Sequence, residues 1–384
     1  MQHHVPTRSK PKPLDRSSSS GNATTWYDMR ATVTATCFLN AASAAAAPLL
    51  LTTTADDGVH LWKVDPATQR TSVSRVGSRD GACPALTCCC ATTRGGAAFA
   101  IGAADGSLYV GTAAGGVMTR AFVANADAAP SASTALTRVC PVLDGDTLLA
   151  LSLSGAVSVV DVRVSGRCAL QSNAGALPFY AATHVRTNGS SLVALAAPAG
   201  TILTFDLRRV RSFEACAAVQ ALDLRNQITS LCALGAAGGI AAGAVTGRVF
   251  IARAGDDDAA PVREEAVAFP SRERYPVVHI AAVDRDDGGG SSIAIAAAAA
   301  DGSVAFFAKT HRSVPAAERD GAAADTWRSW QWLLRGQRPT SVSLTSVETT
   351  PTRCAIPLLA ASYVSPQVPE MSRICLVSLA GDPL

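Results

Sequence analysis

One pattern recurs along the chain and constrains its fold more than any other feature. A short apolar run leads into a small-residue turn with a glycine, and a run of β-branched or aromatic residues follows, as in residues 49–64 (LLLTTTADDGVHLWKV) and 293–308 (IAIAAAAADGSVAFFA). The turn glycines are 45–55 residues apart and are Gly58, Gly106, Gly155, Gly200, Gly247 and Gly302. This spacing is close to the period of the four-stranded sheets that build a propeller.

Each copy has the residue pattern of a β-hairpin. A glycine accepts the positive φ that a tight two-residue hairpin turn requires. The run after the turn alternates as a half-buried strand does, for example at Val157 and Val159. Another β-like run precedes each copy, such as residues 228–234 (ITSLCAL). A unit of four strands cannot bury both faces of its sheet alone, so the units are expected to pack around a ring.

A seventh unit is predicted to come from both ends of the chain. Residues 340–347, 354–361 and 374–379 have the pattern of three strands. The fourth strand is expected near residues 25–29, because pairing of the two ends would remove exposed sheet edges. The sequence therefore predicts an all-β fold, a seven-bladed β-propeller of WD-repeat type, over residues 24–384.

Two segments depart from the repeat. Residues 1–23 are rich in Pro, Ser and basic residues without apolar periodicity, which predicts a disordered tail. Residues 309–337 place Trp327, Trp330 and Leu334 on one helical face. They predict an insertion in the last blades with a short amphipathic helix. Packing of its tryptophans against the propeller is favoured over an exposed helix that binds a partner.

Composition limits the classes of function. Charged residues make up 16% of the chain and the net charge is +3 without a basic cluster, so we expect RNA to be contacted only indirectly, if at all. The uncharged runs are too short or too weakly apolar to predict a membrane span, and no secretory signal is indicated. An odd count of 11 Cys fits a reducing compartment, so a nuclear or cytosolic protein is expected.

No residues are arranged as an active site would require. Of the six histidines, His3 and His4 are adjacent near the N-terminus and the other four are isolated, and none of the four has a second His or a Cys at metal-ligand spacing on the same element. Cys88, Cys89 and Cys90 are consecutive, so on a strand they would alternate between its two faces. That arrangement favours their use as small buried apolar residues. We expect no catalysis, no cofactor and no metal ion.

The C-terminal part carries a series of short motifs. Residues 238–251 (GGIAAGAVTGRVFI) resemble the E-G-R-V-A blade of the mitotic-checkpoint Bub-type propellers and their messenger-RNA-export Rae-type relatives. Residues 275–281 (YPVVHIA) resemble the Y-P-V-N-x-I-x segment of these proteins, and residues 300–307 (ADGSVAFF) resemble their S-D-G-x-x-x-x-W strand pair. Residues 338–343 and 360–363 resemble the Y-P-T-S and A-S-S-Y segments of their last blade. The ordered combination carries the resemblance.

The resemblance implies a non-catalytic scaffold that binds an acidic linear segment across one face of the ring. The family arginine that meets the carboxylates of the segment corresponds to Arg248, and the glutamate two positions before it corresponds to Thr246. Tryptophans in the family's first-blade and third-blade turns correspond to Ala55 and Leu153, and the exchange of an aromatic residue for alanine removes a typical interface anchor. These four positions are the partner-binding residues that the resemblance implies.

Three functions stay open at this stage. Segments such as FDLR (205–208), YP (275–276) and PTS (339–341) lean towards the Bub-type branch, which implies a spindle-checkpoint propeller that binds checkpoint kinases at kinetochores. The Rae-type branch implies an mRNA-export propeller that binds a nucleoporin at the nuclear pore. Both are nuclear locations, and a cytoplasmic pool is compatible with either. The third function is a generic WD-repeat subunit of another complex.

Overall fold

A computed structural model gives the fold of most of the chain. The residues that it describes are 13–14, 23–29, 31–39, 47–56, 58–65, 71–78, 84–92, 97–123, 134–142, 146–164, 168–172, 178–187, 190–211, 213, 218, 220–234, 239–253, 263–266, 275–286, 291–310, 328–333, 338–349, 354–364 and 371–378. These residues form 30 β-strands in seven sheets.

The strands follow one another at short intervals along the whole chain. In chain order they are β1 (Pro13–Leu14), β2 (Ala23–Met29), β3 (Val33–Leu39), β4 (Leu49–Thr54), β5 (Val59–Val64), β6 (Thr71–Arg75), β7 (Gly77–Ser78), β8 (Leu86–Ala91), β9 (Ala98–Ala103), β10 (Ser107–Thr112), β11 (Val117–Val123), β12 (Leu136–Val142), β13 (Thr147–Ser152), β14 (Val157–Asp161), β15 (Cys168–Gln171), β16 (Ala181–Thr187), β17 (Ser190–Ala196), β18 (Thr201–Asp206), β19 (Gln220–Asp223), β20 (Ile228–Leu234), β21 (Gly239–Ala244), β22 (Val249–Arg253), β23 (Arg263–Ala266), β24 (Val277–Asp286), β25 (Ser291–Ala299), β26 (Ser303–Thr310), β27 (Arg328–Leu333), β28 (Arg338–Thr349), β29 (Cys354–Val364) and β30 (Ser372–Ser378).

Each sheet is one blade of antiparallel strands. Blades 1 to 6 are β3–β6, β8–β11, β12–β15, β16–β19, β20–β23 and β24–β27, and β7 lies parallel beside β11. Blade 7 has the order β28-β29-β30-β2, with β1 at its outer edge. In it Tyr27 of β2 pairs with Ile374 of β30. The predicted closure of the ring by the two ends of the chain is confirmed.

The blades form a closed ring around a central channel. The inner strands β3, β8, β12, β16, β20, β24 and β28 contact one another in this order, and β28 contacts β3. Serine hydroxyls join the last blade to the first, because Val33 N donates to Ser372 Oγ at 2.8 Å and Phe38 N donates to Ser343 Oγ at 3.0 Å. The seven-bladed all-β propeller predicted from the repeat is confirmed.

Among the described residues, the core consists of seven apolar clusters, one between each pair of neighbouring blades. Strand β25 shows how an Ala-rich strand serves two of them. Ile295 and Ala297 face blade 5, whereas Ala296 and Ala298 face blade 7. Small side chains let adjacent blades approach closely, so the large Ala content is used for blade packing.

The glycine turns connect the second and third strands of a blade, and they have three loop residues instead of the predicted two. In blade 3, Ser152 N donates to Ala156 O, which leaves residues 153–155 as the loop, with Gly155 at φ +84°. A common three-residue hairpin consists of a type I turn followed by one residue in the left-handed region, and that last residue forms a β-bulge. Gly155 takes this position in blade 3. Positive φ is confirmed for five of the predicted glycines, Gly106, Gly155, Gly200, Gly247 and Gly302.

The amphipathic helix predicted around Trp330 is wrong over residues 328–333, which form strand β27. This strand pairs antiparallel with β26, with Trp330 opposite Phe306. Without β27, the backbone groups on the outer edge of β26 would be unpaired. Aromatic residues are favoured in strands, so this segment suits the position beside β26. Trp327 and Leu334, the other two residues of the predicted helical face, lie outside the described residues.

Two further sequence predictions fall mostly outside the described residues. In the predicted tail, the structure describes Pro13–Leu14, which pair with Tyr27 and Trp26, and residue 23, where β2 begins. Disorder in the rest of the tail stays a prediction. In the predicted insertion, the described residues besides β27 are 309 and 310 at the end of β26.

Candidate partner-binding face

One face of the ring collects the glycine turns and the segments that enter the inner strands; we call it the turn face. Within the part of the chain that the structure describes, five blades share one hydrogen bond, in which the first loop residue donates its N–H to the carbonyl of the residue just before the inner strand. These pairs are Ala55 with Thr32, Ala104 with Ala85, Leu153 with Ala135, Val245 with Gln227 and Ala300 with Pro276. The opposite face carries the turns between third and fourth strands, such as residues 161–164.

The four residues implied by the sequence resemblance all lie on the turn face, distributed over three blades. Ala55 is exposed in the turn of blade 1, and Leu153 is 63% exposed in the turn of blade 3. Thr246 and Arg248 are half-buried on either side of Gly247 in blade 5. Thr246 Oγ1 donates to Asn226 Oδ1 at 3.0 Å, which ties this turn to the segment that enters β20.

The turns of blades 2 and 6 each contain an aspartate that stabilises its own turn. Asp105 accepts from Ser107 N at 2.8 Å and from Ser107 Oγ at 2.9 Å. Asp301 Oδ1 accepts from Ser303 N at 3.0 Å and from Ser303 Oγ at 2.6 Å. Blade 1 also has an aspartate here, the exposed Asp56. We call these three the aspartate turns.

The turns of blades 3, 4 and 5 have no carboxylate and read LSG (153–155), PAG (198–200) and VTG (245–247). We call them the apolar turns. Large apolar side chains are exposed on and beside them, with Leu153 63%, Tyr180 45% and Val245 37% accessible. Tyr180 immediately follows Phe179, whose N–H donates to Gly155 O at 3.1 Å, so it lies next to the turn of blade 3.

Leu153, Tyr180 and Val245 form an exposed group over three successive blades, which we call the apolar arc. Single exposed apolar residues are ordinary, but several on one face of a rigid scaffold are typical of a protein-binding surface. The resemblance included Leu153 only as a replaced tryptophan, and the repeat pattern gave no signal for Tyr180 or Val245. Their exposure depends on the packing of neighbouring blades.

The channel contains an arginine that the sequence reasoning missed. Arg138 is the third residue of β12 and is half-buried. Its Nη2 donates to Leu231 O on β20 at 2.9 Å. Since β12 belongs to blade 3 and β20 to blade 5, the side chain passes the inner edge of blade 4 and places its guanidinium within the channel. The sequence offered no signal for this, because the contact joins strands 93 residues apart.

Titratable groups on several inner strands respond to this guanidinium. Burial raises the pKa of Cys140 to about 12, and the charge of Arg138 acts against that rise. Burial also raises the pKa of Cys232, again with Arg138 opposing. Burial lowers the pKa of His279 to about 4, and the charges of Arg138 and Arg338 lower it further. The His279 ring is therefore neutral at neutral pH, and Arg138 acts on groups of blades 3, 5 and 6.

The consecutive cysteines alternate between two blade interfaces as predicted. Cys88 and Cys90 pack in the cluster between blades 2 and 3, and Cys89 packs in the cluster between blades 1 and 2. Burial raises the pKa of Cys88 to about 12, so the thiol stays protonated and a poor nucleophile. In the described part of the chain, no group of three His, Cys, Asp or Glu side chains is placed to hold a metal ion.

No helix within the described ranges is long and apolar enough to cross a membrane. No protein-family model matches the sequence. No curated protein matches it either. Among solved structures, the chain is similar to the crystal structure of the Cps50 (Swd1) beta-propeller domain of Myceliophteria thermophila, with a TM-score of 0.60 and 12% sequence identity over 96% of this chain and 100% of that chain.

The blade count and this similarity define the class of protein: an all-β, seven-bladed β-propeller. At 12% identity the similarity shows the fold alone. The turn face and the channel mouth on that face are the features of this chain from which a function can be argued.

Proposed function

We propose that this propeller is a non-catalytic scaffold that binds a protein partner on its turn face. The partner would supply a linear segment that carries both apolar and acidic side chains. The observation that carries the proposal is the apolar arc, in which Leu153, Tyr180 and Val245 are exposed on and beside the turns that have no carboxylate. Burial of such surface by a partner is favourable by about 25 cal/mol per Å² of apolar area.

The charges of the turn face support an acidic segment over the apolar turns. Arg248 follows the turn glycine of blade 5 and is half-buried, and an arginine can pair with a carboxylate through two parallel hydrogen bonds. The aspartate turns of blades 1, 2 and 6 contain Asp56, Asp105 and Asp301. Like charges disfavour an acidic chain over those blades, so the segment is expected to follow blades 3 to 5.

The two replaced tryptophans have different consequences under this proposal. Ala55 is exposed in an aspartate turn and offers little area to a partner. Leu153 is 63% exposed in an apolar turn and still offers a large aliphatic side chain. We therefore assign the anchor role to Leu153 and expect Ala55 to contribute little.

The proposal is tested by comparing two exposed aliphatic residues of blade 3 on opposite faces. Leu153→Glu places a charge in the apolar arc, whereas Val164→Glu places the same charge in the turn of residues 161–164, where Val164 is 48% exposed. Affinity purification of the tagged full chain from its own cells, quantified by mass spectrometry, should lose its specific partners with Leu153→Glu and keep them with Val164→Glu. Equal recovery with both variants would refute binding through the apolar arc.

For the biological setting we propose the spindle-assembly checkpoint, with the acidic segment in a checkpoint kinase at the kinetochore. The support is the ordered set of Bub-type motifs, including YPVVHIA (275–281) and the GRV of residues 247–249. Location through one cell cycle tests this setting. Signal at mitotic kinetochores is expected, and a nuclear-rim signal throughout interphase without kinetochore signal would contradict it.

The second candidate is an mRNA-export propeller that binds a nucleoporin, because the Rae-type relatives share the same motifs. It predicts a nuclear rim signal and retention of poly(A) RNA in the nucleus after depletion, with RNA contacted only through the partner. Arg248→Glu separates both candidates from a generic WD-repeat subunit. It should abolish partner recovery in the first two cases, and unchanged recovery would favour the generic subunit.

A further inference from the structure

At the turn-face end of the channel, the described side chains of the inner strands carry positive charge and no negative charge. Among the inner-strand side chains that the structure describes, the charged ones are two arginines, Arg138 on β12 and Arg338 on β28. The same set contains His184 and His279 and no aspartate or glutamate. His184 Nε2 is engaged with Ser191 Oγ at 2.6 Å. The described lining is therefore positive without a carboxylate to balance it.

Both arginines lie close to the mouth of the channel on the turn face. The inner strands begin at this face, since the residues just before them accept hydrogen bonds from the glycine turns. Arg338 is the first residue of β28 and is exposed, and Arg138 is the third residue of β12. The two guanidiniums act on the same group, because both lower the pKa of His279, the third residue of β24.

Arg138 is held in position and keeps donors available. One Nη2 hydrogen bond to Leu231 O fixes the guanidinium across the channel. A guanidinium has five N–H donors in a planar fork, so this bond leaves several for another acceptor. The side chain is half-buried, and its charge acts against the rise in pKa of the inner-strand thiols Cys140 and Cys232. In such a partly desolvated channel, a charge attracts a counter-ion more strongly than at an open surface.

We propose that the turn-face mouth of the channel is a carboxylate-binding site in which Arg138 and Arg338 receive an acidic side chain of the bound segment. This deepens the proposed function and rests on it, since the segment is the one assigned to the apolar turns. Arg138 extends from blade 3, and the turn of blade 3 carries Leu153. A segment anchored on Leu153 can therefore direct a neighbouring carboxylate into the mouth. A protein carboxylate is favoured over a free phosphate, because the exposed apolar residues beside the mouth suit a peptide.

The test uses the full chain and two fluorescent peptides, one of alternating Glu and Leu and one of alternating Gln and Leu. Fluorescence anisotropy at low salt measures their affinities. Arg138→Gln is expected to weaken binding of the Glu–Leu peptide at least about tenfold and to leave binding of the Gln–Leu peptide unchanged. Arg138→Lys should retain part of the affinity, because the charge stays and the fork is lost.

Arg163→Gln is the matched control, since it removes the same charge from the same blade on the opposite face. Arg163 is exposed and its Nη2 lies 2.6 Å from Asp161 Oδ2. It should change the affinity for the Glu–Leu peptide by less than about twofold, as expected for a surface pair. If Arg138→Gln weakens both peptides equally, the arginine has only a structural role and the inference fails.

A second probe separates this inference from the proposed function. Glutarate, a small dicarboxylate, is titrated into the protein while the NMR signals of the His279 ring are followed. A saturable shift that disappears in Arg138→Gln supports the channel site, even if neither peptide binds. Failure of both peptides to bind would refute the acidic segment of the proposed function. Tight binding of the Glu–Leu peptide that Arg138→Gln leaves intact refutes the channel site alone. A stronger shift with inorganic phosphate than with glutarate also overturns the preference for a carboxylate.

Discussion

The aspartate turns and the apolar turns occupy equivalent positions in the repeat but are stabilised differently. In blade 6, Asp301 accepts two hydrogen bonds from Ser303, so the carboxylate is used within its own turn. In blade 3, the turn is supported by the next blade, because Phe179 N donates to Gly155 O at 3.1 Å. In blade 5, Thr246 Oγ1 bonds to Asn226 Oδ1.

Under the proposed function, this difference would let the repeat carry a binding surface while the fold of each blade stays the same. Where a neighbouring segment supports the turn, as residue 179 of the next blade does in blade 3 and Asn226 at the start of the same blade does in blade 5, the loop residues no longer need a carboxylate and can become exposed apolar groups. Leu153 and Val245 take that role in this chain. The stability of the turn and its chemistry towards a partner are thus provided by different residues.

The largest expected effect is a loss of stability, and it is expected for a substitution where an apolar turn contacts the next blade. Gly200 has φ +87°, and an added Cβ would lie 2.6 Å from Asn226 N. Gly200→Ala should lower the free energy of unfolding by roughly 2–4 kcal/mol, because the left-handed backbone and the backbone contact both resist a side chain. Chemical denaturation measures this change.

Gly116 is the control for that substitution. It also has positive φ, +59°, but an added Cβ would meet nothing within 4 Å. Gly116→Ala should cost only the conformational strain, about 1 kcal/mol. Equal losses for the two variants would show that contact with the next blade does not support the turn of blade 4.

The next effect concerns binding and compares the two positions of the missing tryptophans. Leu153→Trp in the apolar turn should strengthen partner binding by up to about tenfold, because a tryptophan adds area to an existing anchor. Ala55→Trp in the aspartate turn should change it little. Surface plasmon resonance with the purified partner measures both. A gain at Ala55 as large as that at Leu153 would mean that the partner also covers blade 1.

A smaller effect on stability is expected from the aspartate turns. Asp301→Ala removes the acceptor of two hydrogen bonds from Ser303 and should cost about 1 kcal/mol. Thermal unfolding measures the loss, and partner binding should stay at the wild-type level. Reduced binding by Asp301→Ala would place blade 6 inside the interface and break the division between the two kinds of turn.

The smallest of the expected effects is the change in stability near neutral pH that comes from His279, which lies next to the channel arginines. Its pKa in the folded protein is about 4, below the usual 6.5, so protonation favours the unfolded chain. Its contribution to stability is complete above pH 6.5 and is lost as the pH falls towards 4. NMR titration should show no His279 transition near neutrality. A transition near pH 6.5 would mean that the ring is not buried beside Arg138 and Arg338.

The repeat could be predicted from the sequence because strand and turn signals are local. The glycine of each turn, the β-like runs and the alternation of Cys88, Cys89 and Cys90 all depend on residues within one blade, and the repeat follows from their recurrence. The helix predicted around Trp330 was wrong over residues 328–333 because a short aromatic segment fits a helical face and a strand about equally well. The free edge of β26 decided between them, and that edge exists only in the folded blade.

The sequence by itself determined the number of blades, the position of the turns and the pairing of the two ends. Those features follow from period-two alternation and from glycines where the backbone turns. Only the tertiary structure decided which side chains stay exposed on the turn face and that Arg138 reaches Leu231. The reason is that burial and the channel arise from contacts between blades, whose residues are far apart along the chain and leave no mark on its local pattern.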